Sequence, residues 1–318
     1  MKVGVIGVGL AGSSHLFDLV SDPRFDVVAV CSRRAERAAY AAEIFGVPSH
    51  WTDPAELLTA GFLDGVVIAT PPAAATGLLR LALSQMLLVL VDKPVAERAR
   101  DLRQVIADPA CEIEHAVVGY NRRYQGHVHH VRDWIAAAPS DAIDVVECHW
   151  SGPFSARYVN DETYRRQASL GHGVLLDNGS HIFDTLSFLG FGPLTVTGAA
   201  LQCGESGAEV AAKISLATRT CASVIANITD GGLTDEWSIR LSGAGIDLEL
   251  TRFGASGWWL GEHLGVPCDE LLRPVEDLLR LANSERTLGA SLTDALNVLE
   301  LVEAARSAAG VSDDVARG

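Results

Sequence analysis

The chain has 318 residues, 48% of them hydrophobic, enough for one large or two medium domains with real cores, and it is not a disordered polypeptide. Its formal net charge is -15, which argues against nucleic acid as a main partner, because phosphate contacts need clustered Lys and Arg. No apolar run reaches about 18 residues, so no membrane span is expected, and the six scattered cysteines form no CxxC pair, which fits reduced thiols in a cytoplasmic protein.

The first 120 or so residues alternate strand-like and helix-like segments. Lys2–Ile6 reads as a short apolar strand, which explains the amino terminus better than a signal sequence does. A helix follows over Ser13–Val20, then a strand over Asp26–Cys31 and an alanine-rich helix over Arg34–Phe45. Asp64–Ala69 is a third strand, Gly77–Ser84 a helix, and Leu87–Asp92 a fourth strand stopped by Pro94. Glu97–Ile106 reads as a helix and Ile113–Gly119 as a fifth strand. Near-continuous Val/Ile/Leu runs are what a parallel sheet buried on both faces requires.

The character then changes. Tyr124–Ala138 reads as a helix, followed by strands at Ile143–Trp150, Leu194–Leu201, Val210–Thr218, Cys221–Thr229, Glu236–Ser242 and Ile246–Thr251. Turn signals such as Asp230-Gly231-Gly232 suggest an antiparallel meander, interrupted by a helix over Leu176–Leu189. Thr287–Ser291 reads as loose. A last helix starts near Ser291, with Asp294 completing a capping box, stops at Gly310, and is docked by Leu292, Leu296, Leu299 and Val302. The expected division is a dinucleotide-binding domain over 1–120 and a substrate-binding and oligomerisation domain over 121–318, with the last helix free to pack back on the first.

Three segments carry chemistry. Gly7-Val8-Gly9-Leu10-Ala11-Gly12 follows a strand and opens a helix, the context a dinucleotide fingerprint needs. Its glycines serve the tight turn, the approach of backbone to pyrophosphate and the helix–sheet contact. The helix N-terminus offers free N–H groups to the phosphates. The end of the second strand reads Cys31-Ser32-Arg33-Arg34, without the carboxylate that would bind the 2'-hydroxyl of NAD. Ser32, Arg33 and Arg34 favour NADP(H) over NAD(H), although stacking of Arg33 on adenine is an alternative. Thr70-Pro71-Pro72 ends the third strand on the side facing the ligand crevice, so Thr70 and Pro71 join the cofactor set.

Lys93 ends the fourth strand on the same side, held between Asp92 and Pro94. A lysine there can donate to a substrate oxygen and contact the cofactor. Asp177 and His181 lie four apart on an expected helix and so share a face, with Asp184 three further on. Histidine suits proton transfer near neutral pH. Gly179 inside that helix costs about 1 kcal/mol against alanine, and close approach of a ring or sugar would offset it.

With these segments in view, the chain resembles the glucose–fructose oxidoreductase, inositol dehydrogenase and rhizopine-catabolism (Gfo/Idh/MocA) family. The glycine turn, Asp92-Lys93-Pro94 and the run Gly173…Asp177…Gly179…His181…Asp184 carry the resemblance. It implies an α/β protein with an N-terminal Rossmann doubly wound parallel sheet. The implied C-terminal α+β domain carries an open, mainly antiparallel sheet that mediates homo-oligomers, dimers or tetramers. It also implies that Lys93, Asp177 and His181 line the reaction centre. There are departures: the motif glutamate is Asp92, and a histidine common after the third strand is absent from Pro72-Ala73-Ala74-Ala75.

Among other candidates, Arg123 and Tyr124 are expected near the substrate, and Arg122 is equally readable as a structural ion-pair partner. Tyr164, Arg165 and His172 are further pocket candidates. His127, His129 and His130 occupy a helix that reads as exposed and lacks a matched carboxylate or cysteine, so no metal site is assigned. Trp258-Trp259, in a loop-like stretch with Glu262 and His263, fits either sugar stacking or an oligomer contact. The combined reading is an NADP(H)-dependent oxidoreductase acting on a hydroxyl or keto carbon of a sugar- or polyol-like substrate. An NAD(H)-dependent enzyme of the same type and a non-catalytic dinucleotide-sensing regulator are the alternatives.

Overall fold

The computed structural model describes residues 1–160, 173–205, 207–219, 223–268 and 272–311. Two compact units emerge: Met1–Asn121 with Arg273–Leu296, and Arg122–Leu272 with Asn297–Gly318.

The first unit is a six-stranded sheet in the order β3-β2-β1-β4-β5-β6. The strands are β1 (Lys2–Ile6), β2 (Asp26–Cys31), β3 (His50–Trp51), β4 (Gly65–Ile68), β5 (Leu88–Asp92) and β6 (Ala116–Gly119). All paired strands run parallel. Val3, Val5, Val67, Leu90 and Val117 are fully buried, because helices cover both faces. Those helices include α1 (Leu10–Val20), α2 (Ala35–Phe45), α3 (Pro54–Thr59), α4 (Pro72–Ser84) and α5 (Ala99–Ile106). The first helix starts three residues earlier than the sequence suggests, directly on the glycine turn. The fifth expected strand shrinks to Ala116–Gly119, since Ile113–His115 forms a 3₁₀ turn.

Returning segment 273–296 brings α9 (Glu276–Ala282) into this unit. Thr287–Ser291, expected to be loose, is tied down: the fully buried Asp277 carboxylate accepts from the Leu288 and Gly289 amides, and Ala290 bridges Val118. Asp277 lies remote in sequence from both amides, so only the fold could supply this anchor.

In the second unit lie α6 (Gly126–Ala137), β7 (Ile143–Gly152), α7 (Phe154–Asn160), α8 (Ser180–Leu186), β8 (Thr195–Cys203), β9 (Glu209–Ala217), β10 (Ser223–Asp230), β11 (Glu236–Gly243), β12 (Ile246–Thr251), β13 (Gly254–Trp259) and β14 (Glu262–Pro267). The strands form an eight-stranded sheet, β14-β13-β12-β11-β7-β10-β9-β8. It is antiparallel except where β10 runs parallel to β7, so a simple meander is corrected to a sheet in which β7 lies between β10 and β11. The stretch holding Trp258 and Trp259 is a strand hairpin rather than a loop. Glycine at 254 and 257 hid it, because both adopt positive φ and would clash as any other residue.

Helix α10 (Leu292–Ala308) begins with the expected capping box, Ser291 and Asp294 exchanging bonds at 3.0 and 3.1 Å. Its Leu292, Ala295, Val298, Leu299 and Val302 are buried. Among the described residues no helix is long and apolar enough to cross a membrane.

Candidate active site

The carboxyl ends of the parallel strands are in register. Ile6 pairs with Cys31 on one side and Ile68 on the other, and Val91 pairs with Ile68. Gly7, Ser32, Ala69 and Asp92 therefore emerge at one level, with Thr70 and Lys93 one residue further. The strand order reverses direction between β1 and β4, the switch point where such sheets leave a crevice for ligands.

Each glycine of the turn has a separate cause. Gly7 has φ +95°, and a Cβ there would lie 2.2 Å from the Ala69 carbonyl oxygen. A Cβ on Gly12 would lie 1.8 Å from the Gly7 carbonyl oxygen, so α1 can sit against the turn only without one. Gly9, the N-cap of α1, meets nothing within 4 Å. Its missing side chain leaves open space in front of the free amides of the first helical turn, where Leu10 is 94% exposed and Ala11 is exposed. Nearby, the buried Thr70 hydroxyl oxygen has no hydrogen-bond partner among the described residues. An open amide cradle beside an orphaned hydroxyl fits a dinucleotide diphosphate and its ribose.

Ser32 is half-buried, its oxygen 3.4 Å from the Arg34 amide. Arg33 and Arg34 are exposed and make no ion pair among the described residues. Pro71 caps α4 and is half-buried. Lys93 is half-buried at the end of β5.

A residue that the sequence reading passed over, His15, lies beneath this edge. Its Nε2 meets Asp92 Oδ1 at 2.9 Å, tying α1 to the residue that precedes Lys93. Burial works to lower its pKa, but the hydrogen bond and charge of Asp92, with Asp18 adding to them, outweigh this and raise it. Residues 12, 15, 16 and 19 are the buried face of α1, so helical spacing alone marked His15 as interior.

In the second unit, Leu175–Gly179 forms a π-helical turn that passes into α8. Asp177 and His181 thus straddle a widened turn instead of sharing one regular helix. Such bulges recur at functional sites. Gly173 sits so close to β9 that a Cβ would lie 2.7 Å from the Glu209 backbone nitrogen. Gly179 differs: a Cβ there would meet the Leu175 and Ile228 side chains and the Val174 carbonyl oxygen at 3.5 to 3.6 Å, ordinary contact distances, so protein packing does not demand glycine. Asp177 is half-buried, and the Tyr158 hydroxyl points to its Oδ2 at 3.5 Å. His181 is 8% exposed, its ring 5.6 Å from that of Trp150. Among the described residues the buried Asn178 side-chain oxygen has no hydrogen-bond partner.

The Arg-Arg-Tyr segment is interior. Arg123 forms a bidentate pair with Asp184, with distances of 2.8 to 3.1 Å, and Tyr124 is 2% exposed. Arg122 makes no ion pair among the described residues. Its guanidinium lies over the Trp150 ring at 4.4 Å and over the Trp237 ring at 3.9 Å, which corrects its reading as an ion-pair partner. Trp150 and Trp237 are register partners on β7 and β11, a pairing that strand assignment could have suggested but only the sheet order fixed.

The helix carrying His127, His129 and His130 is not simply exposed. His127 is 1% exposed and bonds the Thr251 carbonyl, and His129 bonds the Arg123 carbonyl at 2.6 Å. Trp259 is buried against Trp134, whereas Trp258 is 53% exposed and edge-on to His263. Tyr164, Arg165 and His172 lie outside the described residues.

Residues 1–139 match the oxidoreductase family model GFO_IDH_MocA, described as an NAD-binding Rossmann fold. Over that stretch the chain is similar to the Gfo/Idh/MocA oxidoreductase family. Over 314 residues it is 25% identical to the rhizopine catabolism protein MocA of Rhizobium meliloti, covering 96% of this chain and 93% of that protein. Among solved structures, a levoglucosan dehydrogenase in complex with NADH and levoglucosan superposes with a TM-score of 0.86 at 16% identity, covering 98% of this chain and 97% of the other. KijD10, a 3-ketoreductase from Actinomadura kijaniata in complex with NADP and TDP-benzene, gives 0.81 at 21% identity, covering 97% of each chain.

Proposed function

We propose that this protein is an NADP(H)-dependent oxidoreductase that interconverts a hydroxyl and a keto group on a sugar- or polyol-like substrate. The observation that carries this reading is the carboxyl edge of the parallel sheet. There the open glycine turn, the orphaned Thr70 hydroxyl and Lys93 emerge in register around the switch point. The two superposing structures, one with levoglucosan and NADH and one with NADP, support the substrate class and leave both dinucleotides in play.

Gly7, Gly9, Leu10, Ala11 and Gly12 would hold the diphosphate through backbone amides, with Thr70 and Pro71 on the ribose side. When bound, the nicotinamide accepts or supplies the hydride. Ser32, Arg33 and Arg34 follow the end of β2, where a 2'-phosphate would sit, and the segment Cys31-Ser32-Arg33-Arg34 itself carries no carboxylate. In the oxidative direction His181 takes the proton of the substrate hydroxyl. Lys93 donates a hydrogen bond to the same oxygen and stabilises its developing charge. Asp177 orients the substrate or the imidazole. In reduction His181 or Lys93 returns the proton. Arg123 and Tyr124, both interior, support the wall of the substrate site.

Turnover with a panel of myo-inositol, D-glucose and levoglucosan, with each dinucleotide, tests this reading. Lys93→Ala and His181→Ala are expected to lose about 10²–10⁴-fold in kcat/KM while still binding dinucleotide. Wild-type turnover in both variants would remove the scheme. Tight dinucleotide binding with no turnover on any sugar, polyol or ketone would favour a sensing regulator instead. Tighter binding of NADH than NADPH by calorimetry would overturn the cofactor choice. We also read the protein as a cytoplasmic homo-oligomer, dimer or tetramer; a monomeric mass by light scattering would remove that assignment.

A further inference from the structure

Arg122 is 2% exposed, and among the described residues its Nη1 and Nη2 have no hydrogen-bond partner. The other buried cations and anions of the second unit are matched among the described residues: Arg123 with Asp184, and Arg306 with Glu209. Two indoles take the place of a counter-ion, Trp150 and Trp237, each within 4.4 Å of the guanidinium carbon. Ring quadrupoles attract a cation, but they leave its charge in place. Burial draws the Arg122 pKa down to about 9, against the pull of Cys148 and Asp184, so the group remains a cation at neutral pH. Burial also pushes the Cys148 thiol up to about 12, so it supplies no negative charge there.

The same Trp150 ring packs against His181, with centroids 5.6 Å apart. Adding the 4.4 Å from guanidinium to indole bounds the cation-to-imidazole separation at about 10 Å. We propose that Arg122 is an electrostatic positioning residue for proton transfer, its uncompensated charge disfavouring the imidazolium and holding His181 as the neutral base. This rests on the reading of His181 as the proton acceptor.

Among the described residues, the surrounding charges decide the sign. Asp177 acts the opposite way, but it is half-buried and water-screened, with the Tyr158 hydroxyl against it. On His181's own helix, Asp184 is neutralised by Arg123. From α7, Arg157 is paired with Asp235. The buried positions of β10, Val224, Ala226 and Ile228, are apolar. At an effective dielectric constant of about 20, a unit charge 10 Å away shifts a titration midpoint by about one pH unit.

The test is an NMR titration of labelled histidines in the full chain, with His181 assigned from the spectrum of His181→Gln. Wild type is expected to titrate His181 below the ordinary value of about 6.5. Arg122→Lys should match it closely, and Arg122→Gln should raise the midpoint by about one unit. The pH midpoint of kcat/KM on the sugar panel should move with it. A wild-type midpoint at or above the ordinary value overturns the proposal without any variant having to fold, and so does an unshifted Arg122→Gln. If the NMR midpoint moves and the kinetic one does not, the electrostatic coupling stands and the reading of His181 as the base fails.

Discussion

Replacing Asp184 by asparagine keeps the shape of the side chain and removes its charge. The three bonds of 2.8 to 3.1 Å from Arg123 Nε and Nη2 then lose their anionic acceptor, at a site where the two side chains are 9% and 1% exposed. Among the described residues the face of Phe188 lies 5.1 Å from the guanidinium, a contact of about 0.5–2 kcal/mol that exists already. Breaking a buried pair by removing one partner costs about 3–5 kcal/mol, because an uncompensated charge is left in low dielectric. For a unit of roughly 150–250 residues, each kcal/mol moves Tm by about 2–4 °C, so Asp184→Asn should lower it by about 6–20 °C. Urea unfolding followed by tryptophan fluorescence, run on wild type, Asp184→Asn, Arg123→Met and an apolar double variant Arg123→Met/Asp184→Leu, measures the coupling. The double variant should recover most of the loss, since an apolar pair of similar volume carries no desolvation cost. If Asp184→Asn unfolds within about 1 kcal/mol of wild type, the pair is not the electrostatic anchor of this segment, and the reasoning fails.

Gly9→Ala should fold with stability within about 0.5 kcal/mol of wild type, because its Cβ meets nothing, yet lose dinucleotide affinity by calorimetry. Gly12→Ala should lose both affinity and stability, since its Cβ would strike the Gly7 carbonyl; equal behaviour of the two variants would contradict the division of labour. Arg33→Ala should weaken NADPH by about 10–150-fold through loss of a charge-assisted bond and leave NADH unchanged. The pKa of His15 is raised in the fold, so its contribution to stability is full below the unfolded value of 6.5 and is lost as pH rises through the folded value. Thermal midpoints measured from pH 6 to 9 should therefore show a decline that His15→Gln flattens; an identical slope would remove His15 as its source.

The sequence by itself determined the parallel sheet, the glycine turn and the positions of Lys93 and His181. Buried strands write themselves as Val/Ile runs, and a turn that must meet a carbonyl at 2.2 Å admits only glycine. Local chemistry also marked the start of the last helix, because Ser291 and Asp294 satisfy each other within one turn. Tertiary structure alone decided the rest. Which of two adjacent arginines takes Asp184 depends on where α8 crosses the segment, and that left Arg122 between two indoles brought together by strand pairing. The same holds for His15 and Asp92, 77 residues apart, and for the Asp277 carboxylate that anchors a segment expected to be loose. Periodicity reports which face of an element is buried, but a partner across the sequence is chosen only when the chain closes, since hydrogen bonds and charges act over a few ångströms of space and carry no mark in the order of residues.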